Sequence, residues 1–417
     1  MNKRVASGLL MGLCVVSREG ISMANGFRLP DQDAFATARG EAYVATADNA
    51  SAVYYNPAGL TQQEGFNLRG GLYGIYLNPS FTPPPGSPNA GSTYHIDKHM
   101  AGVPQVFASY GLEEVPLSFG LGVYAPYGLS LEWPQDTGFR TIALSSQLQY
   151  IRINPTAAYE VIPGLSVGAG LTVNYANLSL EQGLVPTLNN NYYKFSGDGW
   201  AVGYNVGVLW KALDQLSFGA TFRSQTGFNL QGTTTTEWQF LPQNPTTRSA
   251  NADFTFPLNV VVGMSYRPTE KWNLEFDADY TDWSSIGTVV IHQSAPVPPL
   301  IPQDVVNVLD WQPSWMYELG VTRYLGDHWQ VSAGYVRNNN SVPNAHYTPY
   351  VTDLTRNFFS VGGGYKGGVV SVDLAYQFCY GPNHTVTGSA PSLTGQTADG
   401  TYNFYSSAFL LTVGLHF

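Results

Sequence analysis

Two glycine-rich stretches and one histidine pair are the places where residue types and spacing could do chemistry. The sequence GLSVG at residues 164–168 matches the nucleophile elbow of serine hydrolases, a motif that needs a strand, a tight turn and a helix around its serine. Gly362, Gly364 and Gly367 match a dinucleotide fingerprint, which must open a helix. His95 and His99 have the i, i+4 spacing of a helical metal site.

The surrounding sequence argues against all three chemistries. Ser166 lies inside a segment of alternating polar and apolar residues, and a further predicted strand at Val369 follows the second motif. The histidines lie in a loop rich in Pro, Gly and Ser, where no helix is expected. We therefore predict that the chain is not an enzyme and uses neither a metal nor a cofactor, with an outer-membrane hydrolase as a minor alternative.

The elements that would carry these residues are predicted to be strands of a membrane barrel. Charged residues are only 12% of the chain, while Gly (44) and Tyr (27) are abundant, and this composition is far from the globular average. There is no run of 18 apolar residues, so we expect no transmembrane helix. From residue 65 the sequence divides into segments of about ten alternating residues separated by turn chemistry, which is typical of outer-membrane barrels. We count fourteen: 65–76, 100–110, 116–126, 147–160, 164–180, 195–211, 215–227, 252–267, 271–283, 313–325, 328–337, 356–366, 369–380 and 403–417.

The alternation and the connections support one topology. In the fifth segment Leu165, Val167 and Ala169 share a face with Leu171 and Val173, opposite small or polar residues. Short and long connections alternate strictly, as they do between periplasmic turns and extracellular loops. We therefore predict an all-β membrane protein, a 14-stranded antiparallel transmembrane β-barrel over residues 65–417 with both termini in the periplasm.

The first 64 residues are predicted to be an export signal and a plug. Residues 1–24 have the basic start, apolar run and small-residue cleavage site of a signal peptide. Residues 25–64 are long enough to fill the lumen of a fourteen-stranded barrel and have helix chemistry, with Asp31 capping one helix and Asp48 or Asn49 another. Pro57 should end the second helix at Asn56. The net charge of −10 makes nucleic acid an unsuitable partner.

Several stretches together resemble one family. They are GFRLPDQDAFATARGEAYVATADNASAVYYNPAGL near the N-terminus, APYGL at residues 125–129 with Glu132, Val342-Pro343 followed by Asp353 and Arg356, and the final YSSAFLLTVGLHF. The mature chain resembles the FadL/TodX family of outer-membrane transporters for long-chain fatty acids and aromatic hydrocarbons along essentially its whole length. The resemblance implies passive uptake through the outer membrane of a Gram-negative bacterium.

The resemblance also implies a mechanism and its residues. A hydrophobic molecule, such as a fatty acid, hydrocarbon or detergent, would bind inside the barrel, the N-terminal hatch would rearrange, and the molecule would leave sideways through the wall. Outer-membrane lipid is the surrounding partner, Phe417 would be read by the barrel-assembly machinery, and we expect a monomer. The hatch would be held against a kinked third strand by Asn56, Pro57 and Ala58, and the kink would involve Gly120, Gly122 and Pro126, although barrel curvature explains such glycines equally well.

Ligand contacts are the least determined part of the prediction. The apolar loop residues expected to form a docking groove are Phe81, Leu129, Leu131, Trp133, Phe139, Trp238 and Phe240, some of which an interfacial aromatic girdle would also explain. A carboxylate ligand needs a basic partner, and the candidates expected to face inward are Arg152, Arg223 and Arg337. Pairing of each arginine with a lumenal acid or with the hatch is at least as good an explanation. The absence of a basic residue in 175–182 favours neutral hydrocarbons slightly, and a general-diffusion porin is the less favoured alternative.

Overall fold

The computed structural model describes residues 26–417 except 98, 188 and 189, so the predicted signal peptide at 1–24 lies outside the described residues. The chain is dominated by strands, and within the described residues no helix has both the length and the apolar character needed to cross a membrane. The strands are β1 (Gly65–Thr82), β2 (Tyr94–His95), β3 (Met100–Gly111), β4 (Leu117–Tyr124), β5 (Gly128–Glu132), β6 (Ser145–Ile162), β7 (Leu165–Gln182), β8 (Tyr192–Leu213), β9 (Leu216–Arg223), β10 (Thr226–Glu237), β11 (Thr246–Phe256), β12 (Asn259–Thr269), β13 (Trp272–Thr281), β14 (Thr288–Gln293), β15 (Asp304–Val308), β16 (Ser314–Leu325), β17 (Trp329–Asn338), β18 (Arg356–Lys366), β19 (Val370–Val386) and β20 (Gly400–His416).

These strands close into one antiparallel barrel. Each wall strand pairs with its neighbours in sequence, and β1 pairs with β20 from Asn67 opposite His416 to Thr82 opposite Thr401. Five wall strands are built in two pieces, β4/β5, β9/β10, β11/β12, β13/β14 and β15/β16. Counting each such pair once, and leaving out the short loop strand β2, gives fourteen wall strands, which confirms the predicted architecture.

The two faces of the wall follow the predicted alternation. On β8, Trp200 and Val202 are 64% and 77% exposed and face outward, whereas Asn205 is 1% exposed and faces the lumen. The outward apolar side chains suit a lipid environment, and closure of the barrel pairs the backbone groups of neighbouring strands along the ladders. Ser166 lies within β7, where its hydroxyl contacts Thr61 at 2.7 Å, and the strand-turn-helix of a nucleophile elbow is not formed there.

Residues 26–64, here called the hatch, lie inside the barrel as short helical turns. Helix α1 (Ala34–Ala38) is capped by Asp33, whose carboxylate accepts from the backbone of Phe35 and Ala36, rather than by Asp31 as predicted. Helix α2 (Ala52–Tyr55) ends at Asn56, as predicted from the following proline. It starts later than expected, because Asn49 bonds to Ser51 in a turn before the helix.

A 3-10 helix, Pro57–Gln62, joins α2 to the barrel wall at β1. Its first turn is capped by Asn56, whose side-chain oxygen accepts from the backbone N–H of Ala58 at 3.2 Å. Proline at the first helical position is compatible with this turn because its missing N–H would have no partner there.

Candidate ligand gate

The third wall strand is broken in the middle, and the break leaves a gap in the barrel wall. Strand β4 ends at Tyr124 and β5 begins at Gly128, and both pieces pair with β6. Strand β3 pairs with β4 only between Val106 and Gly111, and in the described residues no ladder joins its outer half to β5. Above the gap the Asp97 N–H donates to the Glu132 carbonyl at 2.9 Å, so the gap is closed at the extracellular end.

The N-terminal part of the hatch occupies the broken edge from inside. The Leu29 N–H donates to the Pro126 carbonyl at 2.8 Å, and the Gly128 N–H donates to the Phe27 carbonyl at 2.9 Å. Arg28 and Tyr127 are therefore directly opposite each other in a one-residue antiparallel bridge. This part of the hatch takes the place of a neighbouring strand, because it satisfies backbone groups that the break would otherwise leave unpaired.

Phe27 fills a cage of aromatic rings next to this bridge. Its ring lies 4.9 Å from the ring of Trp283 and 5.7 Å from that of Trp311, measured between centroids. Gly26 fits only because it has no side chain, since a Cβ there would lie 2.6 Å from Trp283. We call the five rings around Phe27 the aromatic cage; they belong to Tyr127, Phe254, Phe256, Trp283 and Trp311.

Wall carboxylates on β13 fix the hatch by binding its backbone and one arginine. Asp277 accepts from the Tyr43 and Val44 N–H groups at 2.7 and 2.8 Å, and Glu275 accepts from Ala45 at 2.7 Å. These contacts show that the inward carboxylates of β13 meet the hatch. Hydrogen bonds to a buried carboxylate are stronger than neutral ones, so this strand is the main polar anchor of the hatch.

A buried ion pair extends this anchor to the bridge segment. The guanidinium of Arg28 binds Asp279 through both Nη atoms, at 2.8 and 2.7 Å. Both side chains are almost fully buried. Removing either partner would leave an unpaired charge inside the barrel, which is strongly unfavourable.

Asn56 and Pro57 make their close contacts with the fifth and sixth wall strands rather than with the third, and the predicted gating role of Asn56, Pro57 and Ala58 stays a prediction. The Asn56 side-chain N–H donates to the carbonyls of Val44 and Val208 at 2.8 and 3.0 Å. The wall makes room with glycine: a Cβ at Gly207 would lie 2.2 Å from the Asn56 side-chain oxygen, and one at Gly168 would lie 2.5 Å from Pro57. At the break of the third strand the backbone contacts come from Phe27 and Leu29.

Of the three residues predicted to kink the third strand, only Pro126 lies at the break. Gly120 and Gly122 lie within β4 and pair regularly with Thr156 and Asn154 of β6. Gly120 serves another purpose, because a Cβ there would lie 2.6 Å from the side chain of Val53 in the hatch. Gly120 was predicted to kink the strand, whereas its missing side chain allows the hatch to pack closely against the strand.

The apolar loop residues predicted to form a docking groove separate into two groups. Phe81, Leu129, Leu131, Trp133 and Phe139 are at most 2% exposed and belong to one core that continues down to Phe27. In this conformation they are packed against each other rather than open to solvent. Trp238 and Phe240 form a separate aromatic pair, 5.2 Å apart between centroids, on the β10–β11 loop, where Phe240 is 66% exposed.

The three arginines predicted to face inward have different surroundings. Arg152 is buried in the lumen, where its Nε donates to the Asn174 side chain at 2.7 Å and its Nη2 to the Tyr150 hydroxyl at 3.1 Å. In the described residues no carboxylate lies within ion-pair distance of it. Arg337 was assigned to the wrong face: it is exposed and faces outward, because the inward residues of β17 include Val336 and Asn338.

Arg223 also lies inside the barrel, but the hatch already uses it. Its guanidinium donates to the carbonyls of Tyr54 and Tyr55 at the end of α2, and to the side chain of Asn259. A cation at a helix C-terminus is favourable because it meets the unpaired carbonyls there. This contact matches the alternative that the arginine pairs with the hatch.

Two buried carboxyl groups of the hatch, those of Asp31 and Glu41, can titrate. Asp31 and Glu41 are neighbours that interact electrostatically, and burial raises the pKa of Asp31 to about 6. Burial and the neighbouring charge of Asp31 raise the pKa of Glu41 well above its ordinary value. The pair lines a small cavity of about 10 Å³ together with Arg28 and Phe358, so a shared proton, rather than two negative charges, fits this site.

Phe27 and its cage are candidate site residues that sequence reasoning missed. Phe254 and Phe256 have the parity of inward residues on a predicted strand, and this signal was available. Trp283 and Trp311 lie at the end of a predicted strand and in a predicted loop, where periodicity gives no direction. The meeting of these rings around Phe27 depends on contacts between residues more than 200 positions apart.

The geometry defines a class of protein: a plugged transmembrane β-barrel whose plug seals a break in its own wall. The sequence matches the family described as outer membrane protein transport protein (OMPP1/FadL/TodX) over residues 15–417. The chain therefore belongs to this family of outer-membrane transport proteins.

Individual relatives are distant but cover almost the full length. The long-chain fatty acid transport protein of Salmonella typhi is 22% identical, over 99% of this chain and 97% of that protein. A FadL homologue from Pseudomonas aeruginosa has a similar fold, with a TM-score of 0.82 at 17% identity over 94% of this chain and 100% of its own. The Ralstonia pickettii toluene transporter gives a TM-score of 0.69 at 18% identity, over 92% and 98%.

Proposed function

We propose that this protein takes up long-chain fatty acids or related hydrophobic compounds passively, by binding them inside the barrel, moving the hatch and releasing them sideways through the wall. The observation that carries the proposal is the bridge between the hatch and the broken third strand, formed by the Leu29–Pro126 and Phe27–Gly128 hydrogen bonds. One movement of this segment would empty the aromatic cage and uncover the wall gap together. The protein would act by binding and passage alone, without a catalytic step.

The aromatic cage is suited to hydrophobic ligands. Aromatic rings bury large apolar areas with little loss of side-chain freedom, and Phe27 already shows that an apolar group fits among them. An incoming acyl chain or aromatic ring would compete with Phe27 for these contacts. The ligand would be bound by the contacts that hold the gate closed, so binding itself would favour opening.

Two substrate classes agree with this arrangement. A fatty acid would place its carboxylate near Arg152, which has no carboxylate partner in the described residues. An aromatic or aliphatic hydrocarbon would use the cage alone, and the toluene transporter of Ralstonia pickettii has a similar fold. Relatives named as long-chain fatty acid transport proteins cover nearly the whole chain, so we place fatty acids first and hydrocarbons as the alternative.

The proposal also includes the oligomeric state, the membrane surroundings and the division into two domains. The chain would work as a monomer surrounded by outer-membrane lipid, with Phe417 read by the assembly machinery. Residues 25–64 would be the movable domain and 65–417 the fixed one. A general-diffusion porin is the competing function, in which the hatch would have no part in hydrophobic uptake.

The test is uptake of radiolabelled oleate and of toluene by cells that lack their own transporter. The cells would express the wild-type chain, Asn56→Ala, or Asn229→Ala as a control on an exposed part of β10. Asn56→Ala removes hydrogen bonds to Val44, Val208 and Ala58, so the hatch should be misplaced while the barrel stays folded, as checked by its heat-modifiable migration on gels.

The outcomes separate the alternatives. Oleate uptake that falls at least several-fold in Asn56→Ala, but not in Asn229→Ala, would support gated fatty-acid import. Uptake of toluene alone would make the protein a hydrocarbon channel. Leakage of small sugars without uptake of either compound would contradict the proposal and favour the porin.

A further inference from the structure

The outward face of β17 changes character with depth in the membrane. It carries Trp329 at the turn, then Val331 and Ala333, then Tyr335 and finally Arg337 next to the extracellular loop. Aromatic residues mark both membrane interfaces of such barrels, and an outward arginine is costly at the bilayer centre but tolerated at its edge. The order on β17 therefore places Arg337 at one interface and Trp329 at the other.

The length of the strand supports this placement. Arg337 is eight residues after Trp329, which is about 26 Å along a strand at ~3.3 Å per residue, or about 20 Å along the membrane normal at a strand tilt of ~40°. The apolar band of a transmembrane barrel is about 25 Å tall. The short turn after β16 is periplasmic, so Arg337 lies near the outer edge of this band, where its long side chain extends to the outer-leaflet headgroups.

Arg337 is the cation in a row of polar-tipped side chains that crosses neighbouring strands. The strand registers place Tyr317 opposite Arg337, Arg337 opposite Asn357, and Asn357 opposite Tyr380, on β16 to β19. The row continues to Tyr405 on β20. Tyr317 and Tyr380 are 41% and 46% exposed, so the row faces the lipid. We call these five residues the girdle row.

The guanidinium of Arg337 is held by a hydrogen bond, but it can still bind a group of opposite charge. Its Nη1 donates to the Asn357 side-chain oxygen at 3.2 Å, and the Tyr335 hydroxyl donates to the same oxygen at 2.8 Å. Asn357 thus links Arg337 to the aromatic side chains around it. In the described part of the chain no carboxylate lies within ion-pair distance of Arg337, so its charge has no protein partner of opposite sign there.

We propose that the girdle row binds a phosphate group of a lipid in the outer leaflet, with Arg337 as the central contact. Arginine presents a planar fork of N–H donors that matches phosphate oxygens, and tyrosine hydroxyls can donate from either side. The outer leaflet of a Gram-negative outer membrane consists largely of phosphorylated lipid A. This role is independent of what the barrel transports, and it gives Arg337 a function on the face where it lies.

The proposal is tested by titrating the purified full-length protein in detergent with bisphosphorylated lipid A and with dephosphorylated lipid A, following bound lipid by native mass spectrometry. The variants are Arg337→Gln and Arg337→Lys. Arg323→Gln is the matched control, since Arg323 is also exposed, on the neighbouring β16 but at the periplasmic end, where it stacks on Trp272 at 5.1 Å. Retained heat-modifiable migration would show that each variant is folded.

We expect wild type to prefer the phosphorylated lipid, and Arg337→Gln to bind it about tenfold more weakly, which is about 1.4 kcal/mol. Arg337→Lys should lie between the two, because lysine keeps the charge without the fork. Arg323→Gln should bind like wild type. Equal binding of both lipids by wild type, an equal loss in the Arg323 variant, or unchanged binding by Arg337→Gln would each overturn the proposal.

Discussion

The backbone N–H of Leu29 donates to the carbonyl oxygen of Pro126 over 2.8 Å, so the start of the hatch completes the broken third strand of the wall. The same segment places Phe27 in the aromatic cage and Arg28 against Asp279. A plug attached in this way cannot leave the cage without also exposing the wall gap. In the proposed mechanism, ligand binding and lateral release would thereby be linked through three consecutive residues.

Replacing Phe27 with alanine should tighten ligand binding. The ring of Phe27 competes with ligand for the cage. The apparent dissociation constant equals the intrinsic one divided by the fraction of molecules in which the site is open, so blocking by Phe27 increases it. We expect a fluorescent fatty acid to bind about tenfold more tightly to Phe27→Ala, as measured by titration in detergent. Phe35→Ala is the control, because Phe35 packs on Tyr43 in a different cluster of the hatch. Weaker binding in Phe27→Ala would show that the cage is not the ligand site.

The two lumenal arginines should affect different steps. Arg152 contacts neutral wall groups, so Arg152→Gln should reduce oleate uptake several-fold and leave toluene uptake unchanged. Arg223 binds the carbonyl ends of α2, and Arg223→Gln should reduce both, because it loosens the hatch. Competitive uptake assays with the two compounds would measure this. Equal loss of oleate and toluene uptake in Arg152→Gln would make that residue structural.

The strand pattern was predictable from sequence because it is local. Alternation over ten residues and the lengths of connections identified all fourteen wall strands, and a proline located the end of α2. The assignment of Arg337 to the lumen was avoidable, since the residue has the same parity as Val331 and Ala333, which face lipid. The bridge between Arg28 and Tyr127 was not accessible in this way, because no periodic pattern describes contacts between segments about 100 residues apart.

Hatch docking should weaken as pH rises. The pKa of Asp31 is raised from 3.8 to about 6, and that of Glu41 is raised well above its ordinary value, while the hatch is docked. A group with a raised pKa stabilises the docked state fully below its ordinary pKa and loses that contribution as pH rises through the docked value. The stabilisation from Asp31 should therefore disappear between about pH 4 and pH 6, and that from Glu41 at higher pH.

Amide hydrogen exchange of residues 34–38, corrected for the intrinsic pH dependence, would measure this effect. We expect greater protection at pH 5 than at pH 8, and a flatter profile in Glu41→Gln, which keeps the hydrogen-bonding shape without titrating. Asp48→Asn is the control, as Asp48 lies outside this carboxyl pair. Protection that increases with pH in wild type would contradict the shared-proton description of the pair.

The most direct test of the gate is a reversible covalent lock across the bridge. Arg28 and Tyr127 form a non-hydrogen-bonded antiparallel pair, the type in which side chains come closest and a disulfide fits. The double variant Arg28→Cys with Tyr127→Cys would be compared with each single variant, which controls for loss of the Arg28–Asp279 ion pair. Cys379 is buried and does not interfere. If the hatch must leave the broken strand, oleate uptake should be lost in the oxidised double variant and return to the level of the single variants after reduction. Uptake by the oxidised variant at that same level would contradict lateral release through this gate.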